Sequence, residues 1–226
     1  MLRRNPEFVI GTLMLGACQT APKPLKVHLP VAYEAGFATC EGGDGALSLR
    51  WYDAGRLLET IPVDWVAWPD KGWAMAMTSP FGQTLFKITY QREGQRFIVD
   101  GLERPVPELG VLENGLLTID DRYVGIKATE IPCVLSGRLP RDWLQRVVAW
   151  QPGSDELTFS VRDADRDIHT TLKIDEQGDI NFCSHIRWGY YWGLVNRDVE
   201  WCSSNLVTTI TGPESFRIEL EKQEHL

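Results

Sequence analysis

Apolar and polar residues alternate with a period of two along most of the chain. Leu47, Leu49 and Trp51 are interleaved with Ser48 and Arg50, and Phe86, Ile88 and Tyr90 with Lys87 and Thr89. Successive side chains of a strand point to opposite faces, so this spacing predicts strands with one buried face. The same rhythm runs through Phe97 and Val99, Leu117 and Ile119, Leu157, Phe159 and Val161, Thr170, Leu172 and Ile174, Ile180 and Phe182, and Phe216, Ile218 and Leu220. Turn pairs stand between these runs: Asp44-Gly45, Glu93-Gly94, Asn114-Gly115, Gln177-Gly178 and Gly212-Pro213. Short strands joined by such turns predict a mainly β fold built as a curved antiparallel sheet.

One segment breaks the rhythm. Across residues 140–150, Trp143, Leu144, Val147 and Val148 follow an i, i+1, i+4, i+5 spacing; Pro140 suits a first helical turn and Pro152-Gly153 ends the run. This predicts one amphipathic helix. Its apolar stripe needs cover, and the concave face of the sheet is the expected partner, so the helix is expected to act as a lid.

The N-terminus carries different information. Arg3 and Arg4 precede an apolar run from Phe8 to Leu15, followed by Leu15-Gly16-Ala17-Cys18. Eight residues rise about 12 Å as a helix, short of a hydrocarbon core of about 30 Å, so the run reads as an export signal and not a membrane span. The last four residues look like a lipobox, which implies cleavage before Cys18 and acylation of that cysteine. By resemblance to other lipoproteins, Gln19 directs the chain to the outer membrane. The expected organisation is a signal peptide over 1–17, a lipidated cysteine and tether over 18–36, and a single curved-sheet domain over 37–226. A chain of 226 residues fits one such domain, and its net charge of -8 with no basic stripe argues against nucleic acid as a partner.

Five cysteines become an even set once Cys18 is assigned to the anchor. Cys40, Cys133, Cys183 and Cys202 remain, in a compartment that permits disulfides, and three pairings are possible. Pairing Cys183 with Cys202 closes the shortest loop and leaves Cys40 with Cys133; the sequence does not choose. Cys183, His185 and Cys202 also invite a metal reading. Zinc prefers four closely spaced ligands and only one Cys-x-His occurs, so no metal is expected. His28, His169 and His225 stand alone.

Catalytic motifs are absent. The chain has no Gly-x-Ser-x-Gly elbow, no phosphate-cradling loop, no His-Glu-x-x-His and no dinucleotide fingerprint, so neither an enzyme nor a cofactor is expected. Asp163, Asp165, Arg166 and Asp167 lack the glycine and closing glutamate of a calcium loop and are expected to form a solvated turn. Ser203, Ser204 and Asn205 have no identifiable His and Asp partners.

The stretch from Trp73 to Tyr90 is the most specific. A strand stops at Thr78-Ser79-Pro80, presents Phe81 at a turn closed by Gly82, and resumes as a second strand. In this it resembles the LolB family of outer-membrane lipoproteins, which receive other lipoproteins from a periplasmic carrier and place them in the membrane. That family carries Asn-Pro-Leu-Gly where this chain has Ser79-Pro80-Phe81-Gly82. Leu139-Pro140-Arg141-Asp142-Trp143-Leu144 resembles the family's Pro-initiated helix, and Ser215-Phe216-Arg217-Ile218-Glu219-Leu220 its closing strand. The likeness runs loosely over 46–226, and 123–137 and 188–201 depart from it. A related group of proteobacterial lipoproteins shares the turn pattern.

The resemblance implies a LolB-like half-barrel whose lid helix covers an apolar cavity for acyl chains. Leu49, Trp51, Met75, Met77, Phe86, Ile88, Phe97 and Val99 would line it from the sheet, and Trp143, Leu144, Val147 and Val148 from the lid. Pro80, Phe81 and Gly82 would form a membrane-delivery loop. The implied partners are membrane lipid through the anchor, acylated cargo or lipid, and a LolA-like periplasmic carrier, at the periplasmic face of the outer membrane. Alternation alone does not separate a lined cavity from a filled core. The other reading is therefore a non-enzymatic envelope assembly lipoprotein, with a filled barrel and exposed Trp65, Trp68, Trp188 and Trp192. The anchor is directly testable: Cys18→Ser should abolish labelling with a radioactive fatty acid and release the protein from membranes, and retained labelling would refute the assignment.

Overall fold

A computed structural model describes residues 23–79, 81–101, 109–119, 122–163, 166–188, 197–212 and 217–222. The signal peptide and Cys18 lie outside this set. Seventeen strands are present among the described residues: β1 Phe37–Ala38, β2 Gly43–Asp53, β3 Arg56–Trp68, β4 Gly72–Thr78, β5 Thr84–Gln91, β6 Arg96–Gly101, β7 Leu109–Val111, β8 Leu116–Ile119, β9 Arg122–Lys127, β10 Leu139–Pro140, β11 Val147–Pro152, β12 Glu156–Asp163, β13 Arg166–Ile174, β14 Ile180–Trp188, β15 Arg197–Ser203, β16 Val207–Thr211 and β17 Arg217–Lys222. Twelve of them form one antiparallel sheet in the order β11-β12-β13-β14-β15-β16-β17-β2-β3-β4-β5-β6. It is not closed: β11 and β6 are its two edges.

The chain leaves the sheet at one edge, β6, and re-enters at the other, β11. The connection must therefore cross the sheet, and it does so as a second layer: the three-stranded sheet β7-β8-β9, a 3-10 turn over Ala128–Glu130, the short helix α1 (Ile131–Ser136), β10 and a further 3-10 turn over Arg141–Arg146. β10 pairs in parallel with β1.

Strand alternation puts one set of side chains on the covered face, as the sequence predicts. One cross-strand row runs Leu157, Leu172, Phe182, Ser203, Thr208, Leu220, Leu49, Ile61 through directly paired positions. Its middle members are small, and so are Thr170 and Ser184 in the next row. These buried hydroxyls satisfy each other, Thr170 with Ser184 at 2.9 Å and Ser203 with Thr208 at 2.9 Å. The hollow they leave is filled by the second layer. Trp143, fully buried, packs edge-on against Trp201 at 5.8 Å, and Phe182 meets Trp201 at 5.3 Å.

The helix expected over residues 140–150 is not there. Arg141–Arg146 forms a 3-10 turn, and Val147–Pro152 is the edge strand β11. The cause is a β-bulge: the register slips between Val147 and Ala149, so Val147 faces Val161 and Trp150 faces Phe159 on the same side of the sheet. One extra residue turns a period of two into an apparent i, i+3 spacing, and β-branched Val147 and Val148 suit a strand. The one α-helix among the described residues is Ile131–Ser136, with Pro132 in its first turn and Gly137 ending it at φ 66°. A Cβ at Gly137 would lie 2.7 Å from the Ser203 Oγ. Five of this helix's six residues are buried, so it has no amphipathic period to read.

Two smaller expectations also change. Asp44-Gly45 lies inside β2, paired with Val66 and Trp65, and is not a turn. The tether expected over 18–36 is packed against the body from Leu25 onward: the Leu25 N–H donates to the Val147 carbonyl at 2.7 Å, and Tyr33 is buried. Trp143→Ala should cost about 3–5 kcal/mol, the usual range for removing a buried tryptophan, whereas Leu144→Ala, at a partly exposed neighbour, should cost much less; guanidinium unfolding midpoints decide it.

Candidate functional site

Register places all eight strand candidates on the concave face. Met77 pairs with Phe86, and Met75 with Ile88, which pairs in turn with Val99; Phe97 follows through Tyr90, and Leu49 and Trp51 through β17. They are not equivalent. Met77 and Ile88 are buried in the core, while Leu49, Trp51, Met75, Phe86 and Phe97 are partly exposed and Val99 is 37% exposed. Among the candidates from the expected lid, Trp143 and Val147 are fully buried and Leu144 and Val148 partly so. The concave face is thus filled where Trp143 and Trp201 meet and also at Leu47, Val63, Trp65, Trp73 and Tyr90, and over β2 to β6 it keeps partly exposed apolar positions between these buried ones.

The β4–β5 hairpin ends at the same margin of the sheet as the β2–β3 hairpin, because successive hairpins of a meander alternate ends. Its turn is held by Ser79, whose N–H donates to the Gln83 carbonyl at 2.8 Å and whose Oγ accepts from the Phe81 and Gln83 N–H groups at 3.2 Å. Gly82 takes φ 76°. Phe81 stands at the tip, 91% exposed; Pro80 lies outside the described residues. At the β2–β3 hairpin, Leu57 and Leu58 are 46% and 57% exposed. The start of β11, where Leu25 is bound, belongs to this margin too, so the segment leading back toward Cys18 departs from it.

A cavity of about 650 Å³ lies between the second layer and the strands whose Trp68, Gly72 and Arg92 stand at the opposite margin. It is lined by Trp68, Trp73 and Tyr90 from the sheet, by Arg92 and Glu41, joined at 2.7 Å, and by Lys127, Glu130, Arg141, Asp142 and Arg146. Of the expected acyl-lining residues, only Leu144 reaches it. A second depression, about 560 Å³, lies on the outer face beside the Cys183–Cys202 bond. That bond joins directly paired residues of β14 and β15, and Cys40–Cys133 ties the chain after β1 to α1. Cys183 and Cys202 are therefore spent on each other and do not form a metal set with His185.

Sequence reasoning missed a buried charge network between the two layers. The Arg166 guanidinium, with no exposed side-chain surface, donates to both Glu130 oxygens at 2.8 Å, to Asp163 at 3.0 Å and to the Gly125 carbonyl at 3.1 Å. Glu130 also accepts from the Trp143 indole and the Lys127 N–H, each at 2.9 Å. Asp163 is closed off by Lys127 and Arg146, both at 2.7 Å. The solvated turn expected at Asp163 and Arg166 is therefore wrong for these two residues; Asp165 lies outside the described set, and Asp167 is half-buried against Arg162. The one sequence signal available was Glu130 itself, a lone acid amid Ile126, Ala128, Ile131 and Val134.

Burial alone would raise the Glu130 carboxyl, but the Arg166 charge and the four hydrogen bonds outweigh it and hold it below its ordinary value. Asp163 balances the same way, burial against Lys127, Arg166 and Arg146, and lies well below the usual carboxylate range. Compared with known protein families and with curated proteins, the chain finds no match.

The exposed tryptophans of the second reading are mostly interior. Trp65 and Trp188 are buried; Trp68 is exposed, and Trp192 lies outside the described residues.

Arg166→Met should destabilise by about 3–5 kcal/mol because it strands a buried carboxylate. The double variant with Glu130→Met should cost less than the sum of the single changes. Both carboxyls have lowered folded pKa values, so their contribution is complete above the ordinary carboxylate range near pH 4 and is lost as pH falls through the folded values. Urea midpoints should drop on acidification in the parent and drop less steeply in Glu130→Gln.

Proposed function

We propose that this protein is an outer-membrane-anchored lipoprotein that binds acyl chains at the partly exposed apolar positions of β2 to β6 on its concave face and passes them to the membrane. The observation that carries this reading is the grouping of Phe81, Leu57 and Leu58 as exposed apolar side chains on one margin of the sheet. Single exposed leucines need no explanation, but three large ones on neighbouring hairpin tips present a surface suited to lipid. The segment leading to Cys18 leaves from the same margin, so an acylated cysteine would hold these tips toward the bilayer. Partly exposed Leu49, Trp51, Met75, Phe86, Phe97 and Val99 continue from the tips into the concave face. Methionine among them suits irregular chains, because its unbranched side chain adapts to what it packs against.

Transfer then needs only differential affinity. The concave face must hold an acyl chain more tightly than the carrier that delivers it and less tightly than the membrane that receives it. No nucleotide enters this scheme. Insertion of Phe81 adds about 1.5–3 kcal/mol of apolar burial when the tip meets the bilayer.

Phe81→Glu should leave the protein folded and anchored while impairing delivery of lipoprotein or lipid in a reconstituted transfer assay. Delivery at the parental rate would remove the loop from the mechanism, and native mass spectrometry showing no co-purified lipid would count against acyl binding itself.

A further inference from the structure

The two edges of the large sheet are treated differently. β11 is blunted: the Leu25 N–H covers the Val147 carbonyl, a bulge twists the strand, and Pro152 ends it. Among the described residues β6 has none of these protections, and β7, which comes near it, does not pair with it. Its register with β5 runs from Arg96 to Gly101 without a shift, no proline interrupts it, and no other strand among the described residues pairs with its free side. Ile98 and Val99 are each 37% exposed. An unprotected edge of this kind is a template for another strand.

We infer that β6 pairs antiparallel with β6 of a second copy of this chain, about a two-fold axis through Ile98. The occupant follows from self-complementarity. With the axis at Ile98, Arg96 of each copy faces Asp100 of the other, Phe97 faces Val99, and Ile98 faces itself. An antiparallel pair joins residues of like orientation, so the neighbouring choices place the axis at Phe97 or at Val99. Either sets a charged residue against Ile98 and loses both Arg96–Asp100 pairs. Opposite charges directly across a strand pair are favourable and isologous two-fold contacts are the commonest way copies associate. Among the described residues neither Arg96 nor Asp100 is engaged in an ion pair; Arg96 uses its Nε on Gln91 at 2.7 Å, which leaves its terminal nitrogens for the seam. Phe97 and Val99 face the concave side, so pairing joins the two concave faces into one continuous apolar surface.

The test uses the full-length protein carrying Ile98→Cys, with the parent chain and Thr89→Cys, one strand further in, run beside it. Mild oxidation should yield a covalent dimer from Ile98→Cys alone. Adding Arg96→Asp or Asp100→Arg should weaken dimer formation about ten-fold, the size expected when two favourable cross-strand charge pairs become unfavourable. The double reversal should restore it. Thermal midpoints should match the parent, since all three positions are exposed. A correctly folded Ile98→Cys protein that gives no dimer, one that links only to other proteins, or a dimer indifferent to the single reversals would overturn the pairing.

Discussion

The contact between Arg166 and Glu130 joins the two layers of the molecule. Arg166 begins β13 on the concave face, and Glu130 ends the helical turn before α1 in the layer above it. Burying both charges costs several kcal/mol per ion, and the pair stands because further hydrogen bonds converge on it: the Gly125 carbonyl and the Asp163 carboxylate accept from Arg166, and the Lys127 N–H and the Trp143 indole donate to Glu130. Such a pair adds little net stability over an apolar isostere. Its effect is positional, because any other seating of the second layer leaves a charge buried without a partner.

That seating decides which part of the concave face is filled. Trp143 is drawn down by its bond to Glu130 and lands against Trp201, in the hollow left by Thr170, Ser184, Ser203 and Thr208. Gly125 follows the same logic: its missing side chain lets β9 settle on the Trp188 ring, where a Cβ would come within 2.6 Å. The Cys40–Cys133 bond then ties α1 to the start of the sheet. On β2 to β5 the layer also buries Leu47, Val63, Trp73, Met77, Ile88 and Tyr90, the Trp73 indole donating to the Ala128 carbonyl at 2.7 Å, and partial exposure is left to Leu49, Trp51, Met75, Phe86, Phe97 and Val99. The proposed acyl surface is thus what remains after the plug has been positioned.

The same geometry separates two chemistries. At the β2–β3 and β4–β5 tips the exposed groups are the apolar Leu57, Leu58 and Phe81, whereas in the cavity aromatic residues share the lining with arginines and acids that mostly neutralise one another. An acyl chain is matched by the first and not by the second. The sheet's openness also leaves edges to manage, and among the described residues the N-terminal segment covers the β11 edge.

Strand content, the antiparallel meander and the concave-facing set were legible in the sequence, because alternation is a local consequence of strand geometry. The tight turn at Phe81 was legible because Pro80 and Gly82 interrupt that alternation. The bulge at Val147 was not: an inserted residue copies helical spacing, and only the pairing with β12 reveals the slip. The short helix Ile131–Ser136 carried no periodic signal because it is buried almost all round. Nor could the sequence choose a disulfide pairing, which depends on β14 lying beside β15 and on α1 lying over the chain after β1. The Arg166–Glu130 pair was hidden most completely, since its members are 36 residues apart and each reads locally as a surface charge. Local rules determined which residues turn inward; what they meet there was decided only by the crossing of the second layer over the sheet.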